Sequence, residues 1–162
     1  MGSAGVRGIK LAKDDKVVSI SSLLHNKISI DVRESYLKAK SEAKKDPSKS
    51  NKKFKELSDR EEFLLSITEN GYGKLSSAYE YRITNRGGSG VTNITITPKN
   101  GRVIKSLKVN LQDNIALISD TGKLLRCNVG ENIRVVGRVS QGVSVFKLDS
   151  KEKIVSVARL ED

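Results

Sequence analysis

A glycine followed by valine stands at positions 5, 90 and 142, and each copy opens the same kind of tail. Positions 90 and 142 are 52 residues apart, a period in the range of propeller blades. Behind Gly5-Val6 come Ile9, Leu11 and the run Val17-Val18-Ser19-Ile20; behind Gly90-Val91 come Ile94, Ile96 and Val103-Ile104-Lys105-Ser106-Leu107; behind Gly142-Val143 come Val145, Leu148 and Ile154-Val155-Ser156-Val157. Alternating β-branched residues suit half-buried strands, and residues 13–15, 98–101 and 149–152 have turn composition, so each tail reads as a hairpin. Upstream of the second and third tails stands another matched pair, residues 63–71 and 115–122, each a strand running into a glycine turn. One blade is then about four short strands.

In chain order, residues 1–20 hold half a blade, 62–109 a complete blade and 110–162 a final blade, an all-β, propeller-like array that starts in mid-repeat. Two repeats and a half are too few to close a ring, so the reading expects open strand edges. Residues 21–61 break the pattern as a Lys-rich insertion. Residues 31–45 have helix composition, with Val32, Tyr36 and Leu37 on one side, Asp46-Pro47 as a stop and residues 51–57 as a second short helix. The same segment is poor in large apolar side chains, so disorder stands open beside the helical reading.

A hydrophobic share of 36% in 162 residues supplies a core, and a net charge of +11 points to a polyanionic partner. Nucleic acid fits better than membrane, because there is neither a long apolar run nor a basic amphipathic helix carrying aromatics. Cys127 is the only cysteine and His25 the only histidine, which excludes an intrachain disulfide, a Cys/His zinc site and a His-based triad. No secretory signal is evident, and the expected location is cytoplasmic, with the nucleoid.

Aligned backward from Gly-Val, Arg82-Ile83-Thr84-Asn85-Arg86 falls on Arg134-Val135-Val136-Gly137-Arg138, so two arginines per blade keep their places. Core packing does not explain that, since arginine is almost never buried without a partner, whereas one blade position repeated makes a charged stripe around a rim.

These stretches, with Gly5-Val6-Arg7-Gly8, Glu69-Asn70-Gly71-Tyr72-Gly73-Lys74 and Asp120-Thr121-Gly122-Lys123-Leu124-Leu125-Arg126-Cys127, resemble successive blades of the C-terminal domain of the DNA gyrase A protein and of its topoisomerase IV counterpart. The resemblance covers all but residues 21–61. It implies a β-pinwheel, a propeller variant whose blades exchange strands with their neighbours and whose basic rim bends duplex DNA. It also implies a non-catalytic part of an ATP-dependent type II topoisomerase, partnered by DNA, the gyrase A breakage-rejoining domain and the gyrase B protein. No cofactor is expected in this chain; ATP and Mg2+ belong to other parts of the holoenzyme. Tyr36, Tyr72, Tyr79 and Tyr81 then read as strand, turn or helix-face residues rather than nucleophiles. Two departures stand out: the family's basic residue four positions after the turn glycine is Arg126 after Gly122 but Leu75 after Gly71, and the family's glycine-rich box is reduced to Thr84-Asn85-Arg86-Gly87-Gly88-Ser89-Gly90.

The candidate phosphate-binding set is Arg7, Lys74, Arg82, Arg86, Lys123, Arg126, Arg134 and Arg138, with some expected to be spent on Glu80, Glu131 or neighbouring strands. Phosphate contacts carry little sequence information, so any preference would come from DNA shape. Aromatic content of 4% without tryptophan leaves few stacking platforms, which favours duplex over single strands. Gly87, Gly88 and Gly90 supply either close backbone approach to a phosphate or positive φ in a tight turn. A propeller scaffold of the kelch or WD kind is the rival, and the missing tryptophan argues against it. A self-contained enzyme would need a convergent polar constellation that scattered turn carboxylates do not supply.

Overall fold

The computed structural model describes residues 4–24, 27–46 and 54–160; His25, Pro47 and the start of the expected second insertion helix lie outside them. Two antiparallel sheets stack face to face. The first has the order β3-β1-β2-β6, built from β1 (Phe63–Thr68), β2 (Tyr72–Ser77), β3 (Val103–Val109) and β6 (Val143–Ser144). The second has the order β5-β4-β7, from β4 (Asn114–Ser119), β5 (Leu124–Asn128) and β7 (Ile154–Leu160).

Strand pairing sorts the side chains by face. Leu65 lies opposite Leu75 on one side and Leu107 on the other, while Ser66 lies between Lys74 and Ser106. Because successive residues point to opposite faces, the first sheet has one apolar face and one face of small polar residues plus a lysine. The apolar face, with Phe63, Leu65, Ile67, Leu75 and Val109, packs against Ile115, Leu117, Val129, Ile133, Ile154 and Val157 of the next repeat to form one core. The polar face is also covered, since Ser66, Thr68, Lys74 and Ser76 have no exposed surface.

The tails do not close as hairpins. β3 pairs with β1 and β7 with β4, while β6, the start of the third tail, leaves its own repeat and pairs with β2 as Tyr72↔Ser144 and Gly73↔Val143. The first sheet therefore takes its fourth strand from the following repeat, and residues 5–20 and 90–96, expected as strands, run as irregular chain. Glycine is required where this exchange happens. Gly142 has φ +78, and a Cβ there would sit 3.0 Å from the Gly73 carbonyl oxygen. Gly5 and Gly90 share the same left-handed conformation, each with φ +77, so the recurrent Gly-Val marks a kink that only glycine adopts without strain.

The insertion is helical where it is described: α1 (Ile30–Lys45) and α2 (Lys55–Asp59). The expected apolar stripe is narrower than the spacing suggests, because Val32 remains 43% exposed and Tyr36 is the one buried residue of α1. The Tyr36 ring meets Phe54 and Tyr79 edge to face, with centroids 5.8 and 5.6 Å away. Its hydroxyl donates to Glu61 at 2.7 Å, and Lys40 pairs with the same carboxylate. A single aromatic anchor with a charged pair orders a segment that is otherwise too polar to dock. The last helix, α3 (Val129–Asn132), is one turn capped by Asn128, whose side chain accepts from the Glu131 amide at 3.2 Å.

Adjacent residues of β4 test this sorting. Leu117 is fully buried and Ile118 is 42% exposed. Leu117→Ala should destabilise the fold by about 2–5 kcal/mol and Ile118→Ala by under about 1 kcal/mol, as read from urea unfolding midpoints.

Candidate nucleic-acid interface

The arms carrying the repeated arginines meet where the two repeats exchange strands. Residues 134–136 cross β2, with the Leu75 amide donating to the Arg134 carbonyl at 3.0 Å and the Val136 amide to the Leu75 carbonyl at 2.9 Å. Beyond that crossing, residues 137–141 run beside residues 92–100. Thr95 donates its hydroxyl to the Val139 carbonyl at 2.6 Å, and the Asn100 amide group donates to Gln141 and Thr95 carbonyls, both at 2.9 Å.

Lys74 holds this junction from beneath. Its ammonium donates to the carbonyls of Asn93 at 2.6 Å, Gly137 at 3.1 Å and Arg138, which uses all three of its protons. Burial draws its pKa down to about 8, with Glu80 opposing and Arg138 reinforcing the shift, so it remains charged at neutral pH. Lys74 is thus placed in the interior, where a phosphate cannot reach it. The cause is cover, since Lys74 opposite Ser66 and Arg126 opposite Ala116 both stand on the face turned away from the shared core. The arms at residues 93 and 137–138 lie over Lys74, whereas Arg126 is exposed.

The other candidates divide into groups. Arg7 and Arg86 are brought together, because the Gly87 amide donates to the Gly8 carbonyl and the Lys10 amide to the Gly88 carbonyl, both at 2.9 Å. Arg82 and Arg138 share a cleft of about 290 Å³ whose opposite wall is α1. Arg138 is held on several sides: its guanidinium donates to the Thr92 carbonyl and lies 6.0 Å from the Tyr81 ring centroid, and its amide donates to Glu80 at 2.6 Å. Arg134 and Arg126 are exposed, Arg126 on the β5 face turned away from the core. Among the described residues Arg7, Arg82, Arg86 and Arg134 make no ion pair.

Lys123 is engaged instead by Asp149 and Glu152. Glu152 also accepts from the Thr121 hydroxyl at 2.7 Å and the Asp149 amide at 3.0 Å. With the Ser119 hydroxyl as the largest contribution, these donors lower its pKa to about 2. Sequence reasoning also missed Tyr81 and Asn93. Tyr81 donates to the Asn93 side-chain oxygen, whose amide nitrogen donates to Ser66 at 2.7 Å, so a polar chain runs from the sheet face to the ring beside Arg138. A tyrosine just before a rim arginine in one repeat, with no aromatic counterpart in the other, left no periodic signal to find it by.

Comparison with known proteins gives a consistent family. The family described as DNA gyrase C-terminal domain, beta-propeller, matches residues 1–23, 62–110 and 113–161, and so passes over the insertion. The DNA gyrase A protein of Rickettsia prowazekii (strain Madrid E) is 41% identical over 173 residues, covering 99% of this chain and 19% of that protein. Its counterpart in Salmonella typhimurium (strain LT2) is 34% identical over 160 residues, covering 99% and 14%. The chain thus spans about a fifth or less of the length of these relatives. A solved DNA gyrase A C-terminal domain aligns with TM-score 0.57 and 32% identity over 61% of this chain and 33% of that one. A topoisomerase IV C-terminal domain aligns at 0.56 with 24% identity over 62% and 31%, a likeness of fold alone.

Two outcomes test these assignments. Lys74→Met leaves three buried carbonyls without a donor and should cost about 3 kcal/mol or more, against under about 0.5 kcal/mol for Arg86→Ala, both read by thermal melting. Glu152, with its pKa lowered in the fold from 4.5 to about 2, contributes stability that is complete above pH 4.5 and lost as pH falls through 2. Denaturant midpoints followed over that window should drop less for Glu152→Gln than for the parent protein.

Proposed function

The chain belongs to the DNA gyrase C-terminal domain family, and on that premise we propose that it binds and bends duplex DNA through its arginine-bearing arms, supporting DNA wrapping and supercoiling by a gyrase. The observation that carries this reading is the gathering of arginine-bearing chain from different repeats: the backbone beside Arg7 pairs with the backbone beside Arg86, and Arg82 and Arg138 line one cleft. Guanidinium groups without carboxylate partners favour phosphate oxygens, which they can engage through two donors at once. The Thr92 carbonyl and the Tyr81 ring hold the Arg138 side chain in place beforehand, which lowers the entropy cost of a contact. The net charge of +11 adds a long-range attraction that steers a polyanion toward the arms.

Bending follows from rigidity rather than from any base contact. The arms are fixed to two stacked sheets, so a duplex that engages arginines on both must follow their curvature, at a deformation cost set by its own flexibility. In the complete enzyme the breakage-rejoining domain of gyrase A and the gyrase B protein are the partners this places alongside the DNA.

Fluorescence anisotropy with a mixed-sequence duplex across a salt series is the direct test. With Arg7, Arg86 and Arg134 each neutralising one phosphate, log K should fall against log salt with a slope of about −3. Arg86→Ala with Arg134→Ala should weaken binding to all sequences alike and leave folding intact. Salt-independent binding, or none at low ionic strength, would contradict the proposal.

A further inference from the structure

Helix α1 lies along the strip of surface that holds the repeated arginines. Its first turns, at Ile30 and Glu34, wall the cleft that contains Arg82 and Arg138, and Arg33 donates to the Tyr81 carbonyl at 3.2 Å. Its last turn reaches Val135, next to Arg134, where Lys44 donates to the Val135 carbonyl at 3.5 Å. The helix therefore follows the line from one arginine group to the next. A helix with side chains is about 10–12 Å across. Water passes it easily and reaches Arg82, but a stiff duplex with a persistence length of about 50 nm cannot dip behind it.

The helix does not replace the contacts it obstructs. Its exposed charges are Asp31, Glu34 and Glu42 against Lys38, Lys44 and Lys45, a balanced set on a chain whose net charge is +11. The acidic residues Asp31 and Glu34 fall in the first two turns, at the arginine-lined end, where they repel phosphate. Its hold on the sheet is also narrow. Tyr36 is the one buried side chain of α1, and its two edge-to-face ring contacts add little beyond the area they bury. Elements with so few buried contacts open at little cost.

We infer that α1 is an autoinhibitory cover over Arg82 and Arg138: a duplex gains these two contacts only when the helix leaves its seat. The inference rests on the DNA-binding reading and adds a competitor to it. Since docking of α1 and full engagement of the duplex exclude each other, each weakens the other by the same factor. A protein with the cover seated binds DNA through the outer arginines alone, and a ligand or modification that unseats Tyr36 would strengthen its grip.

Two measurements decide the matter. Tyr36→Ala, which removes the anchor, should tighten binding to a mixed-sequence duplex by about tenfold, a usual size for coupled sites, and steepen the salt slope by about 2, roughly one for each added phosphate contact. Arg82→Ala should weaken binding by a larger factor in the Tyr36→Ala background than in the parent protein. Should Tyr36→Ala fail to fold, amide hydrogen exchange on the unaltered protein decides alone: adding duplex should speed exchange across residues 30–45. Slower or unchanged exchange there, or unchanged or weaker binding by a folded Tyr36→Ala protein, overturns the inference while leaving DNA binding standing. Failure of both proteins to bind duplex at low salt instead removes the DNA-binding reading and the inference with it.

Discussion

The Lys74 ammonium is the point on which the rest of the structure depends. It is fully buried, and its three protons reach carbonyls from two separate arms, at Asn93 on one and at Gly137 and Arg138 on the other. A buried charge without partners would cost far more than any single packing contact returns, whereas one whose donors are all satisfied is tolerated and is specific in direction. The same side chain therefore fixes the level at which the arms cross β2 and the place from which Arg138 leaves the surface. Apolar packing alone would leave that crossing free to slide, since dispersion has no preferred direction.

Strand exchange makes the two repeats one cooperative unit. The first sheet is completed by Val143 and Ser144, which lie beyond the β4–β5 hairpin of the second sheet in sequence, and the core is shared between Leu65, Ile67 and Leu75 on one side and Ile115, Leu117 and Val157 on the other. Further ties span the stack, including Lys105 donating to the Val157 carbonyl at 2.9 Å and Lys153 paired with Glu69 at 2.9 Å. Each sheet thus relies on its neighbour: both share one core, and the first also takes an edge strand from the repeat that follows. Such coupling gives the arginine arms a rigid base, and rigidity is what turns a set of phosphate contacts into a bend.

Charge is distributed on the same logic. Cations that reach carboxylates, such as Lys123 with Asp149 and Glu152 or Lys108 with Glu62, tie turns and strands together. Arg7, Arg82, Arg86 and Arg134, which have no such partners among the described residues, lie on the arms. Helix α1 has the opposite character, with balanced exposed charge and a single aromatic anchor, which suits a part that is seated and unseated more than one that carries the fold.

The Gly-Val repeat determined the blade pattern, because a left-handed glycine before a β-branched residue leaves a mark that recurs wherever the kink recurs. Alternation likewise determined most of the strands, with residues 5–20, 90–96 and 145–148 as exceptions, and the basic composition pointed to a polyanion. The partners of those strands were not legible. The tails at 90–107 and 142–157 read as hairpins since their links have turn composition, yet the arms of each part company, and pairing between residues far apart in sequence leaves no local trace. The same limit hid the role of Lys74. It stands 52 residues before Arg126, the spacing of the repeat, and in sequence both are simply basic residues after a turn. Only the fold, in which arms from two repeats lie over the face that carries Lys74 and leave Arg126 exposed, decides that the first holds the arms together and the second faces outward.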